Sequence, residues 1–241
     1  MTKQRIWELD ALRGVCILGM LVFHTLYDIT ALFRLVSWQI PGWLTLIADA
    51  GARVFLLLSG LCVTLGSRPV RRGLSVFGCG MLCTLVTWAM YMLGLSGQGI
   101  IIRFGMLHCL GLCMLLWPLM RRLPAWALAA AGILIIACGW YLDICGLRVE
   151  SHWLFPLGLR YYGFSSGDYY PLLPCLGWFL LGAVLGRALY RRQTTLLPRI
   201  DPHKQPLAFL QLCGRRMGQN AFQARSLQLS GQPFGFEGAG A

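Results

Sequence analysis

DALRGVCILGMLVFHTLYD, running from Asp10 to Asp28, is an apolar segment that nevertheless carries Asp10, Arg13, His24, Tyr27 and Asp28. At about 100° per residue, the step from Arg13 to His24 completes three helical turns with about 20° of drift. Both side chains therefore share one face, about 16 Å apart along the axis at about 1.5 Å per residue. Asp10 sits one turn before Arg13, and Tyr27 and Asp28 one turn after His24, on the same stripe. Ionisable groups on a segment otherwise fit for lipid are costly there, so the stripe is expected to face a protein-lined cavity.

Composition supports the membrane setting. The 241 residues are 57% hydrophobic and 12% charged, and the mean hydropathy is +0.63. A soluble domain carries about twice that share of charge. Six spans are predicted: Ala11 to Phe33, Trp43 to Leu65, Leu74 to Leu95, Ile100 to Met120, Ala125 to Ile144 and Tyr170 to Tyr190. Each reaches about 20 residues, enough to cross a hydrocarbon layer of about 30 Å. The expected fold is all-α, a polytopic transmembrane helix bundle forming one domain.

The net charge of +12 sits in short connectors. Lys3 and Arg5 precede span one, and Arg68, Arg71 and Arg72 separate spans two and three. Arg121 and Arg122 separate four and five, and Arg191, Arg192, Arg199 and Lys204 follow six. The alternate connectors hold Arg34, Arg103, Arg148 and Arg160, with Glu150 and Asp168 beside the last two. This bias predicts that both termini face the cytoplasm. It is a topology signal and not the lining of a groove, so nucleic acid is not an expected partner. No cleavable signal peptide is expected, because Glu8 and Asp10 spoil a basic leader and further spans follow.

Seven of the ten cysteines (Cys16, Cys62, Cys79, Cys83, Cys109, Cys113 and Cys138) lie inside apolar runs, where a thiol behaves as a small hydrophobe. Cys79/Cys83 and Cys109/Cys113 share helix faces, but no His or carboxylate matches them, so no metal site is expected. Gly177, Gly182 and Gly186 give span six a small-residue face suited to close helix packing. Pro171 and Pro174 suit only a helix start.

With topology assigned, depth follows from helix rise. His24 lies about 13 Å below the outer surface, and Asp49 and His108 about 10 Å below it. Arg53, one turn beyond Asp49 on the same face, is near the midplane, and Arg13 is near the cytoplasmic end. Asp49 and Arg53 suit a structural ion pair as well as a substrate contact. Asp28, one turn from His24, would orient the ring and raise its basicity, which a general base requires and so does a proton relay. The outer connector from Cys145 to Tyr169 is long and aromatic; part of it is an interfacial belt, and it also suits the cap of a site.

Four blocks carry a family resemblance. RIWELDALRGVCILGMLVFHTLYDI (5–29), FLLLSG (55–60), IRFGMLHCLGL (102–112) and DYYPLLPCLGWFLLGAVLG (168–186) resemble, in order, bacterial members of the heparan-α-glucosaminide N-acetyltransferase catalytic-domain family. The spacing of Arg13 and His24 is also similar to that of the broader transmembrane acyltransferases. The resemblance implies an integral-membrane acyltransferase in a bacterial cytoplasmic membrane, moving acetyl from cytoplasmic acetyl-CoA to an amine or hydroxyl of an extracytoplasmic sugar. It implies no metal.

On that reading His24 and Asp28 are catalytic, and Arg13, Arg68, Arg71, Arg72, Arg121 and Arg122 meet the CoA phosphates. Asp49, Arg53, Arg103, His108, Tyr161, Tyr162, Asp168 and Tyr169 hold the acceptor. The implied partners are the bilayer and a sugar or glycan, with self-association into a homo-oligomer left open. Residues 1–204 form the acyltransferase-like domain, and 205–241 a cytoplasmic tail, truncated or disordered.

Two departures from the family pattern stand out. Lysosomal members have Asn where His24 stands, with their proposed catalytic His in the next loop, whereas here no His falls between His24 and His108. Relatives continue from a Gly-Arg pair into a further span, whereas Gly214-Arg215 leads into a polar tail. Two other functions use the same residues: a transporter or flippase with His24 and the carboxylates as a proton relay, and an inactive membrane scaffold. No inverted repeat is visible to support transport.

Overall fold

The computed structural model describes residues 6–27, 29–30, 40–95 and 97–190. Six helices follow one another: α1 (Trp7–Tyr27), α2 (Gly42–Leu65), α3 (Pro69–Met92), α4 (Met106–Met120), α5 (Ala125–Cys145) and α6 (Leu172–Leu189). Proline sets several of the starts, since it lacks an N–H that the first turn could not use anyway. Pro41, Pro124 and Pro171 precede α2, α5 and α6, and Pro69 opens α3. Gly146 ends α5 in the left-handed region at φ 59°, where a side chain would be strained.

Among the described residues, five helices are long and apolar enough to span a membrane: α1, α2, α3, α5 and α6. Their outward faces carry exposed Leu21, Val22, Leu82, Leu85, Ile133 and Leu134, a surface suited to lipid and not to water.

The fourth expected span differs. The sequence predicts a helix from Ile100, but α4 begins at Met106 and has 15 residues. Residues 101–105 are extended backbone pinned to the outer connector. The Gly167 amide donates to the Ile101 carbonyl at 3.1 Å, and the Tyr170 amide to the Phe104 carbonyl at 3.0 Å. Phe104 and Tyr169 pair as a parallel bridge. Non-helical backbone is tolerable at such a level only when protein satisfies it, and here it does.

α6 is the central helix, with α2 packed along one side and α5 along the other; α3 and α4 form a pair beside them. Phe179, Leu180 and Ala183 of α6, Leu128 of α5 and Cys109 and Cys113 of α4 are fully buried. Close approach depends on glycine. A Cβ at Gly182 would collide with the Leu57 carbonyl, and one at Gly60 with the Phe179 carbonyl. The expected single glycine face of α6 is in fact two. Gly182 and Gly186 meet α2, while Gly177 meets Gly132 of α5, because five residues turn a helix by about 140°.

The connector between α2 and α3 is shorter than expected. Pro69 starts α3 early, so Arg71 and Arg72 stand in its first turn and not in a loop. α1 packs mainly on α2, through a cluster of Ile6, Leu9, Leu58, Leu61, Cys62 and Tyr190 where the start of α1 meets the end of α2. α1 scarcely touches α3. The proposed tail, 205–241, lies outside the described residues.

Candidate functional site

The polar face of α1 carries Arg13 near its start and His24 near its end, and no residue of it lines the cavity described below. Near its start, the Arg13 guanidinium lies 3.8 Å from the Asp10 carboxylate. Arg13 and Arg72 are close enough for their positive charges to act on one another, with Cys62 beside them. Arg72 is half-buried, while Arg68 and Arg71 are exposed. The first turn of α3 adds its own positive end to these side chains, so this corner favours anions. Arg121 and Arg122 are exposed in the α4–α5 connector. The Arg121 carbonyl accepts a 2.7 Å hydrogen bond from Arg187, which also bonds the Leu123 carbonyl at 2.7 Å and lies over the Trp117 ring.

Three turns along α1, His24 is exposed and set edge-on to Phe23. Its charge reaches the Asp168 carboxyl. Asp168 is the better-anchored partner: its Oδ2 accepts the Met106 amide hydrogen at 3.0 Å, capping α4. Burial pushes the Asp168 carboxyl above the ordinary carboxylate range, opposed by the Met106 N–H and by the charge of His24. Gly105 makes the cap possible, since a Cβ there would strike Oδ2. Asp28, the expected orienter of His24, lies outside the described residues.

His108 occupies the first turn of α4 and is buried. Gly105 N–H donates to its Nδ1 at 3.3 Å, leaving the proton on Nε2, which lies 3.2 Å from Thr84 Oγ1. The Thr84 hydroxyl donates onward to the Ile102 carbonyl at 2.6 Å. With both ring nitrogens engaged, His108 fixes the extended segment. Arg103 does similar work, donating from Nε to the Ser165 carbonyl at 3.0 Å.

A separate cavity of about 240 Å³, called the outer cavity after the expected topology, opens between α2, α5, α6 and the long connector. Asp49 and Arg53 form an ion pair on its α2 wall. A second pair, Asp143 with Arg160 at 3.3 Å, stands across from them. The Arg160 guanidinium lies over the Tyr169 ring, and the Tyr169 hydroxyl donates to the Phe155 carbonyl at 2.6 Å. Trp140, Trp178 and Cys175 complete the polar and aromatic lining. Tyr170 also lines it and feels the charges of both Asp168 and Asp49. Burial raises the Tyr169 and Tyr170 phenols above their ordinary range.

Of the acceptor residues expected from sequence, Asp49, Arg53 and Tyr169 line the cavity, and Asp168 stands beside it. Tyr161 instead packs edge-on against His152 and Phe164, and Tyr162 is exposed; neither lines the cavity. Asp143, Arg160, Tyr170, Trp140 and Trp178 were not expected. Arg160 beside Asp143 is a contact over 17 residues, which no local periodicity announces. Among the described residues, no group of three or more His, Cys, Asp or Glu is placed to hold a metal.

No curated protein and no solved structure matches the chain. The family model described as "Heparan-alpha-glucosaminide N-acetyltransferase, catalytic" matches residues 5–217. That span includes α1 with Arg13 and His24, the Asp168 cap and the whole outer cavity. The chain therefore belongs to the heparan-α-glucosaminide N-acetyltransferase catalytic family, membrane acetyltransferases that in general take their acetyl group from acetyl-CoA.

Proposed function

We propose that this chain transfers acetyl from acetyl-CoA at the cytoplasmic face to an amine or hydroxyl of a sugar on the opposite face of a bacterial cytoplasmic membrane. It crosses that membrane six times with both termini inside, the extended segment before α4 completing the fourth crossing. The observation that carries the reading is the single face of α1. It presents Arg13 beside Arg72 at one end and His24 within reach of the Asp168 charge at the other.

The donor end fits its ligand. Two guanidinium groups held near one another, one of them 3.8 Å from the Asp10 carboxylate, are stabilised by a bound polyanion. Arg13 and Arg72 would hold the CoA phosphates, with exposed Arg68, Arg71, Arg121 and Arg122 drawing them in. Bound acetyl-CoA supplies an activated acyl thioester. At the other end His24 takes the proton from the acceptor nucleophile, and the carboxylates of Asp168 and Asp28 stabilise the resulting imidazolium. Asp49, Arg53 and Tyr169 hold the acceptor sugar in the outer cavity. Arg103 and His108 hold the backbone that positions Asp168.

The test uses purified full-length protein. His24→Ala is expected to lower acetyl-CoA-dependent transfer by about 10²–10⁴-fold, the usual share of a general base, while thermal stabilisation by CoA persists. Arg13→Ala is expected to abolish that stabilisation. Intact transfer in His24→Ala would overturn the catalytic assignment.

A further inference from the structure

The outer cavity is a slot between two helices that do not close on one another. α2 and α5 both pack on α6 yet scarcely touch each other. The α2 wall (Asp49, Arg53) and the α5 wall (Trp140, Asp143) therefore face across a floor made by α6.

The slot is deep. Arg53 lies about 16 Å along α2 from its start, and Gly139 and Trp178 lie about 9 Å inside the outer ends of α5 and α6, at about 1.5 Å per residue. At that depth the surroundings of the bundle are acyl chains, not water. Above it the connector forms a roof of Gly158, Arg160 and Tyr169, held down by the Tyr169–Phe155 hydrogen bond.

The rims are apolar and open. Leu46 stands one turn above Asp49 on the same face and is 70% exposed; Ile144 stands one turn beyond Trp140 and is 85% exposed. Inside, the two ion pairs cancel, so the slot offers donors and acceptors in fixed positions without net charge. That suits a hydroxyl-rich neutral headgroup, with Trp140 to cover a C–H face of the ring. A sugar dissolved in water has no use for hydrocarbon-facing rims. A sugar on a lipid does.

We infer that the acceptor is a glycolipid of the outer leaflet, whose sugar head enters the slot sideways between α2 and α5 while its chains remain in the bilayer against Leu46 and Ile144. The inference rests on the acyltransferase reading for its use of the sugar, but binding is testable by itself.

The full chain is reconstituted in phosphatidylcholine nanodiscs and irradiated with an octyl glucosaminide that carries a diazirine in its alkyl chain. Cross-links are expected on α2 and α5 at Leu46, Ala50, Tyr141 and Ile144, competed at least 10-fold better by unlabelled octyl glucosaminide than by free glucosamine. Competable cross-links confined to the connector or to α1 and α3, or equal competition by free glucosamine, would overturn it. Acetylation of free glucosamine without slot cross-links would leave the enzyme reading standing and remove the lipid acceptor. Competable slot cross-links without any acetyl transfer would support the lipid site and remove the enzyme reading.

Discussion

The Asp168 carboxylate accepts the Met106 amide hydrogen at 3.0 Å and lies within the electrostatic reach of His24. One side chain thus caps α4 and feels the charge at the far end of the α1 stripe.

Two substitutions separate these roles. Asp168→Asn keeps a carbonyl oxygen for the Met106 amide, whereas Asp168→Ala removes it. Asp168→Ala is expected to cost about 1 kcal/mol of stability more than Asp168→Asn, the usual worth of a helix cap. Both are expected to lower acyl transfer, since neither carries the charge that meets His24. Thermal unfolding in detergent and a radiolabelled acetyl assay read the two effects separately.

The same carboxyl sets a pH dependence. Its folded-state pKa is raised above 3.8 by burial, so the folded protein holds the proton more tightly than the unfolded chain does. Stability from this group is full below pH 3.8 and declines as pH rises through the raised folded value. Asp168→Asn, which does not titrate, is expected to lack that decline. Unfolding midpoints of the two proteins from pH 3.5 upward check the sign; parallel curves would refute it.

Glycines on α2 and α6 should divide sharply from those on open faces. Gly60→Ala and Gly182→Ala each drive a methyl into backbone and are expected to destabilise by about 1–3 kcal/mol, as over-packing does. Gly19→Ala and Gly51→Ala have nothing within 4 Å and are expected to be neutral or to gain up to about 1 kcal/mol of helix propensity. Denaturation midpoints for the four variants give the comparison.

Arg187 is the clasp on the α4–α5 connector. Arg187→Ala removes two hydrogen bonds to carbonyls and the stacking on Trp117, and is expected to cost about 1–3 kcal/mol. Arg187→Lys keeps the charge but not the fork, and is expected to recover less than half of the loss. Proteolysis of the connector at Arg121 and Arg122 should quicken in both.

Much of this was legible in sequence because the signals are local. The apolar runs gave α2, α3, α5 and α6 near their expected bounds, and α1 over the described part of its span, the expected end at Phe33 lying outside the described residues; the spacing of Arg13 and His24 placed them on one face of α1. The start of α4 was not legible. Residues 101–105 are as apolar as a helix, and only pairing with residues 165–170, some sixty positions away, makes them extended. Asp143 and Arg160 escaped for the same reason. For His108, a bond to a neighbour and a contact to a ligand look alike in sequence, because Gly105 and Thr84 offer no charge that marks them as its partners.

The shortness of α4 has a further consequence. Fifteen residues rise about 22 Å, against about 30 Å for the hydrocarbon layer. Extended backbone advances about 3.3 Å per residue, so residues 101–105, bonded to the connector through Ile101 and Phe104, make up the remaining 8 Å or so in about three residues where a helix would need about five.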